Sequence, residues 1–148
     1  MATDFDTVAG SQLFVCASAP AAQTADAFED LTWVKVGKIS NVGSVLGRTY
    51  STSSMSFVDE AQEIEKKGTF KLPNAQFECG WVEDDAGQLI IAAASKNYTI
   101  PAFKLAKQNG DIRYFTAQVL DFNEGGGAGN DAVKGTFTLL RQTDTITA

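Results

Sequence analysis

This sequence predicts a mainly β fold, a β-sandwich or barrel of roughly six to eight strands with one α-helix and a long extended loop. Three observations lead there. Residues 99–119, TIPAFKLAKQNGDIRYFTAQV, form a β-hairpin pattern around Asn109-Gly110, a pair that tolerates the positive φ of tight turns. Other short runs rich in β-branched and aromatic residues lie between turn-forming clusters. A single segment, 84–97, carries an apolar stripe at helical spacing.

The side chains select the register of the hairpin. A three-residue loop, 108–110, sets Lys107 against Asp111, Ala106 against Ile112, Lys104 against Tyr114 and Phe103 against Phe115. That pairing gathers Phe103, Leu105, Phe115, Ala117 and Val119 on one face. A two-residue loop would face Lys104 with Phe115 and scatter the large apolar residues. One residue of slip exchanges the two faces, so a buried face decides the register. Ile112 and Tyr114 on the opposite face place the hairpin inside a larger β structure, since an isolated hairpin is marginal in water.

A chain of 148 residues suits one domain, 1–148, with a core of its own. With 44% hydrophobic and 20% charged residues it belongs among globular chains. A net charge of −6 argues against a nucleic-acid grip, which needs a basic surface, and against docking on anionic membranes. The start of the chain has neither the basic residues nor the apolar core of a signal peptide. Cys16 and Cys79 both lie in apolar runs and read as buried thiols, with one disulfide as the alternative. No histidine is present, which removes the commonest general base and transition-metal ligand.

Taken in order, residues 1–10 read as an N-terminal arm and 12–18 as a first strand. Residues 19–30 are Ala-rich and suit a turn of helix or an irregular loop equally. Residues 31–40, LTWVKVGKIS, read as a strand. Residues 41–68 follow, small and hydroxylated at first, then densely charged. A loop beyond about 12 to 15 residues is usually functional or disordered. This one reads either as a flexible excursion or as an arm that orders only against a neighbouring copy, anchored by Val45, Leu46, Arg48, Tyr50, Met55 and Phe57. Residues 69–82 are a long strand, with Phe77, Cys79 and Trp81 on one face and Pro73 at an edge or bend. In the helix 84–97, Asp85 is the cap and Gln88 completes a capping box; Ala86, Leu89, Ile90 and Ala93 form the expected buried stripe. A glycine-rich turn at 123–131 precedes a last strand at 133–141, and 143–148 is a polar tail.

No stretch of the sequence has the residue pattern of a chemical site. The acidic pairs at 59–60, 63–65 and 84–85 lack the alternating oxygen ligands of a calcium loop. The hydroxyls of 51–54 have no base beside them. The glycine turn precedes a strand, whereas a phosphate-cradling loop opens a helix. The sequence thus points to a protein that is not an enzyme and uses no cofactor or metal.

Four stretches together resemble the tail tube proteins, or major tail proteins, of long-tailed bacteriophages. TWVKVGKISNV at 32–42 is similar to the family's early Trp-bearing strand, and FVDEAQEIEKKGTFKL at 57–72 to the acidic return from its arm. FECGWVEDDAGQLIIAAA at 77–94 resembles the strand-to-helix passage, and FTAQVLDFNEGGGAGNDAVKGTFTLLRQT at 115–143 the closing strands. Residues 51–54 depart from the Asp-Val-Thr type strand of many relatives, and the insert FKLAKQNGDI varies across the family.

The resemblance implies a structural virion protein, assembled in the host cytoplasm, whose hexameric rings stack into a tail tube for DNA ejection. Its partners would be further copies of itself and the tape-measure, terminator and tip proteins, with viral DNA passing unbound and no membrane involved. Glu78 and Asp121 are the first candidates for the lumen wall, followed by Glu124 and Asp131 in the glycine loop. Deleting 45–57 would then leave a folded monomer unable to polymerise. The rivals are the secreted ring protein of a contractile injection system and a stand-alone sandwich binding carbohydrate or protein through Trp33, Trp81 and Tyr50.

Overall fold

The computed structural model describes residues 7–148, and these form ten strands and two helices. The strands are β1 (Gln12–Cys16), β2 (Val34–Val36), β3 (Ile39–Asn41), β4 (Thr49–Met55), β5 (Ile64–Lys71), β6 (Ala75–Gly80), β7 (Ala102–Ala106), β8 (Ile112–Gly125), β9 (Lys134–Arg141) and β10 (Ile146–Thr147). The helices are α1 (Ala25–Glu29) and α2 (Ala86–Ala94). Most of the arm expected at 1–10 lies outside the described residues.

The β7–β8 hairpin has the register that its side chains select. Phe103 faces Phe115, Lys104 faces Tyr114 and Ala106 faces Ile112, while the Lys107 N–H donates to the Asp111 carbonyl at 2.8 Å. Gly110 closes the loop at φ +97°, a conformation that costs other residues a steric penalty.

Around this hairpin the strands follow the order β2-β1-β7-β8-β9-β6-β3, with β10 beside β8. Strand β8 makes the fold. Its first half pairs with β7 over 112–116 and its second half with β9 over 117–125. A register shift between Val119 and Asp121 marks the change, as a bulge bends a strand from one layer toward the next. Leu13, Val15, Phe103, Leu105 and Phe115 from the β2-β1-β7-β8 layer meet Ala75, Phe77, Cys79, Phe137 and Leu139 from the β8-β9-β6-β3 layer in the main core. A smaller cluster of Cys16, Phe28, Ala102 and Tyr114 lies beneath α1, with Trp33 packed against it. There the Trp33 indole donates to the Phe28 carbonyl at 3.0 Å.

Several boundaries differ from those expected. The strand read at 31–40 is two strands, because Gly37 and Lys38 carry the chain from one layer to the other, Lys38 at φ 62°. The long strand read at 69–82 breaks at Leu72, Pro73 and Asn74 into β5 and β6, since proline cannot donate to a ladder. The tail at 143–148 is not free: Ile146 pairs with Tyr114 and Thr147 with Arg113, and the Gln142 N–H donates to the Thr116 carbonyl at 2.9 Å. Its β-branched run extends the β9 side of the ladder along β8.

Helix α2 begins where its cap predicts, the Asp85 carboxylate accepting from the Gln88 N–H at 3.0 Å and from the Gly37 N–H at 3.1 Å. Its buried face is turned from the expected one. Gly87, Gln88, Ile91 and Ala94 face inward, and Leu89 is 55% exposed. A Cβ on Gly87 would lie 2.5 Å from the Lys35 carbonyl and 2.6 Å from the Val36 Cα, so glycine lets the helix touch β2. Gln88 closes no capping box. Its amide donates to the Gly37 and Gly80 carbonyls at 3.1 and 2.9 Å, and its oxygen accepts from the Val82 N–H at 3.1 Å.

Both cysteines are free and buried. Burial pushes the Cys79 thiol up to about 11 from an ordinary 9.0, and only a backbone hydrogen bond from Gly135 opposes it. Burial, then the Glu29 charge, likewise raises Tyr114. Both groups hold their protons more tightly when folded: the Cys79 contribution is complete below pH 9 and falls as the pH climbs through 11, and that of Tyr114 begins to fall only as the pH passes 10. Denaturant melts at pH 8 and pH 11 should show Cys79 contributing a loss of about 2 kcal/mol. Cys79→Ala should remove that share of the pH dependence; an unchanged pH slope in the variant would contradict it.

Candidate assembly surfaces

Two surfaces of this fold are left without partners. The first is the outward side of the β8-β9-β6-β3 layer. Strict alternation points Phe77, Cys79, Phe137 and Leu139 into the core, and Gln76, Glu78, Thr136 and Thr138 away from it. The ladders align these residues in rows. Gln76 sits opposite Thr138, which sits opposite Asp121; Asn41 sits opposite Glu78, then Thr136, then Asn123. The same residues line a shallow open cleft. Glu78 accepts from the Ser40 hydroxyl at 3.2 Å and lies 3.7 Å from the Lys134 ammonium.

Of the four acidic candidates, the structure brings Glu78 and Asp121 together on this face. Glu124 is opposite Gly135, and strand alternation puts it on the side of Phe122 and Phe137. Asp131 folds back into its own turn, its carboxylate accepting from the Ala128 N–H at 2.9 Å. These two therefore do not belong to the polar rows. Gln76, Asn123, Thr136 and Thr138 share this face with Glu78 and Asp121, and the alternation in QFECG and GTFTLL is the sequence signal for three of the four.

Both borders of this layer are open among the described residues. β3 ends the strand order, and β7 leaves β8 after Thr116, so Asp121 to Gly125 are paired with β9 alone.

The second surface is the segment expected as an extended loop at 41–68. It is a hairpin. β4 and β5 pair as a separate two-stranded sheet, with Tyr50 opposite Phe70, Ser53 opposite Lys66 and Met55 opposite Ile64. Every residue from Ser51 to Lys71 is exposed. The hairpin is held by its own side chains: Tyr50 and Phe70 have ring centroids 5.5 Å apart, Lys67 lies over Tyr50 at 4.0 Å, and Arg48 over Phe70 at 4.3 Å. Its far end leaves Met55, Phe57, Val58 and Ile64 open to solvent beside Asp59, Glu60 and Glu63.

The proposed arm anchors separate accordingly. Leu46, Met55 and Phe57 are exposed, Tyr50 is half-buried against Phe70, and Arg48 pairs with Asp144. Val45 is only 6% exposed and packs in the main core of its own chain. It therefore ties the base of the hairpin to the body of its own chain.

No protein-family model matches the chain, and no curated protein matches its sequence. Solved structures share its fold. A chain of the anti-feeding prophage (AFP) baseplate superposes with a TM-score of 0.66 at 12% identity, covering 100% of this chain and 97% of that one. A chain of the PVC sheath/tube terminator, from an extracellular contractile injection system in its extended state, gives 0.65 at 13%, covering 99% of both. A chain of the corresponding PVC sheath–tube complex gives 0.59 at 13%, covering 93% and 87%. The mainly β fold is therefore one found in tube-bearing, phage-like particles.

Proposed function

We propose that this protein is a structural subunit that closes into hexameric rings, which stack into the tube of a phage tail or phage-like particle. One observation carries the reading: the β8-β9-β6-β3 layer has a hydrophilic outward face and an open border on each side. Unpaired borders are templates for strands of another chain, and a head-to-tail contact that closes generates a ring. The two open borders of each copy would pair with those of its neighbours, β3 against the free side of β8. The row-bearing face would then line the channel, and the β4–β5 hairpin would reach the adjoining ring. The shared fold supports this building block, and the sixfold symmetry applied to the AFP baseplate supports the ring number.

In a phage tail the tube would conduct DNA, and the carboxylates of Glu78 and Asp121 suit that task. Cations on the wall would bind phosphates and hold the strand, whereas carboxylates repel it. The double variant Glu78→Lys, Asp121→Lys should assemble normally and slow DNA release, most strongly at low ionic strength. Release at the normal rate in low salt would contradict the lumen assignment. A second reading, a ring or tube subunit of a contractile injection system, is favoured by the extracellular injection particle among the similar structures. Native mass spectrometry tests what the two readings share: multiples of six 15.8-kDa chains are expected, and monomer at every concentration would refute both.

A further inference from the structure

The root of the hairpin is tied to residues 141–145 by two arginines, one of them buried. Arg141, at the end of β9, is 4% exposed. It donates through Nη1 to the Gly47 carbonyl at 3.0 Å and through Nη2 to the Thr145 hydroxyl at 3.0 Å. The Thr145 hydroxyl in turn donates to the Val45 carbonyl. Arg48, the last residue before β4, pairs with Asp144 and also covers Phe70 of β5. Val45, Gly47 and Arg48 are thus each tied to residues 141–145. That stretch is itself fixed to β8 through Gln142, Thr143 and Ile146.

A buried guanidinium is a costly way to fill space, since desolvation penalises the charge and an apolar side chain of like volume is often as stable. Arg141 also leaves its Nε without a partner. Its fork geometry does what an apolar residue cannot, joining two chain segments through rigid, diverging donors.

We infer that Arg141 is a positioning residue for assembly: it clamps the arm root to the 142–148 segment so that the hairpin leaves the body in one direction. The inference rests on the tube reading for its purpose, but the clamp itself is a property of the free protomer. Among the described residues the hairpin is otherwise held by Val45 in the main core and by the three-residue link from β5 into β6, for β4 and β5 pack chiefly on each other.

The test uses nitroxide labels at S53C on the hairpin and K96C on the body; the native thiols are buried and stay unlabelled. Pulsed electron resonance on dilute protomer should give a narrow distance distribution. Arg141→Met should broaden it while leaving the denaturation midpoint near its original value, and tubes should be lost. A distribution as narrow as the parent's overturns the clamp. Should Arg141→Met fail to fold, Arg141→Lys, which keeps the charge but lacks the two diverging donors that reach Gly47 and Thr145, is read the same way. A parent protein that forms no tubes refutes the tube reading alone, since the distance measurement still decides the clamp.

Discussion

Excising residues 50–70 and joining Thr49 to Lys71 through an Asn-Gly turn is expected to give a folded protomer that forms no tubes. Thr49 and Lys71 are cross-strand partners, so a two-residue turn closes the gap with the twist the strands already have. The excised stretch contributes no residue to either core, and the unfolding midpoint should change little. Assembly should vanish because the excision removes Met55, Phe57, Val58 and Ile64, large apolar side chains left exposed in the protomer. Burying each against a neighbour is worth about 1.5–3 kcal/mol. A deletion of 45–57, which the sequence alone suggests, would be a poorer experiment. It removes Val45 from the core and leaves β5 unpaired. Tubes of normal length from the excised variant would show that the hairpin is not an assembly element.

The largest loss of stability is expected from Phe137→Ala. Phe137 is fully buried in the main core, stacked on Phe77 with centroids 5.4 Å apart and planes 3° from parallel. Phe122 meets the same ring edge-on at 5.6 Å. Truncation leaves a cavity between three aromatic rings in the layer that carries both polar rows. A buried Phe→Ala change costs about 3–5 kcal/mol, a large share of the roughly 5–15 kcal/mol that stabilises an ordinary domain. Phe137→Leu should cost far less because most of the volume remains. Denaturant melts measure both; a loss under about 1 kcal/mol for the alanine variant would mean the layers do not pack through this ring.

What could be read from the sequence was whatever local chemistry decides. The β7–β8 register followed from Asn109-Gly110 and from which pairing gathers the aromatic rings, and the start of α2 followed from Asp85. Features set by distant contacts were hidden. The face of α2 turned inward because Gly87 can touch β2 and because Gln88 has three backbone partners, whereas a hydropathy pattern counts glycine as neutral and glutamine as exposed. The β4–β5 hairpin gave no alternation because neither of its faces is buried, and its only local sign was the β-forming Thr49, Tyr50 and Thr52. The link from Arg141 to Val45 and Gly47 spans most of the chain, so no local pattern betrays it. Glu78 faces outward by the simple alternation of β6, whereas Asp121 does so because the register shift after Val119 turns it away from the side of Val119, and the same shift puts Glu124 on the side of Phe122.

The most direct measurement is electron microscopy of the purified chain across a range of concentrations. Stacked rings that form hollow cylinders, with sixfold symmetry in end-on views, are the predicted result. Dispersed single subunits at every concentration, with the β3 and β8 borders as open to exchange as the hairpin tip, would contradict the account.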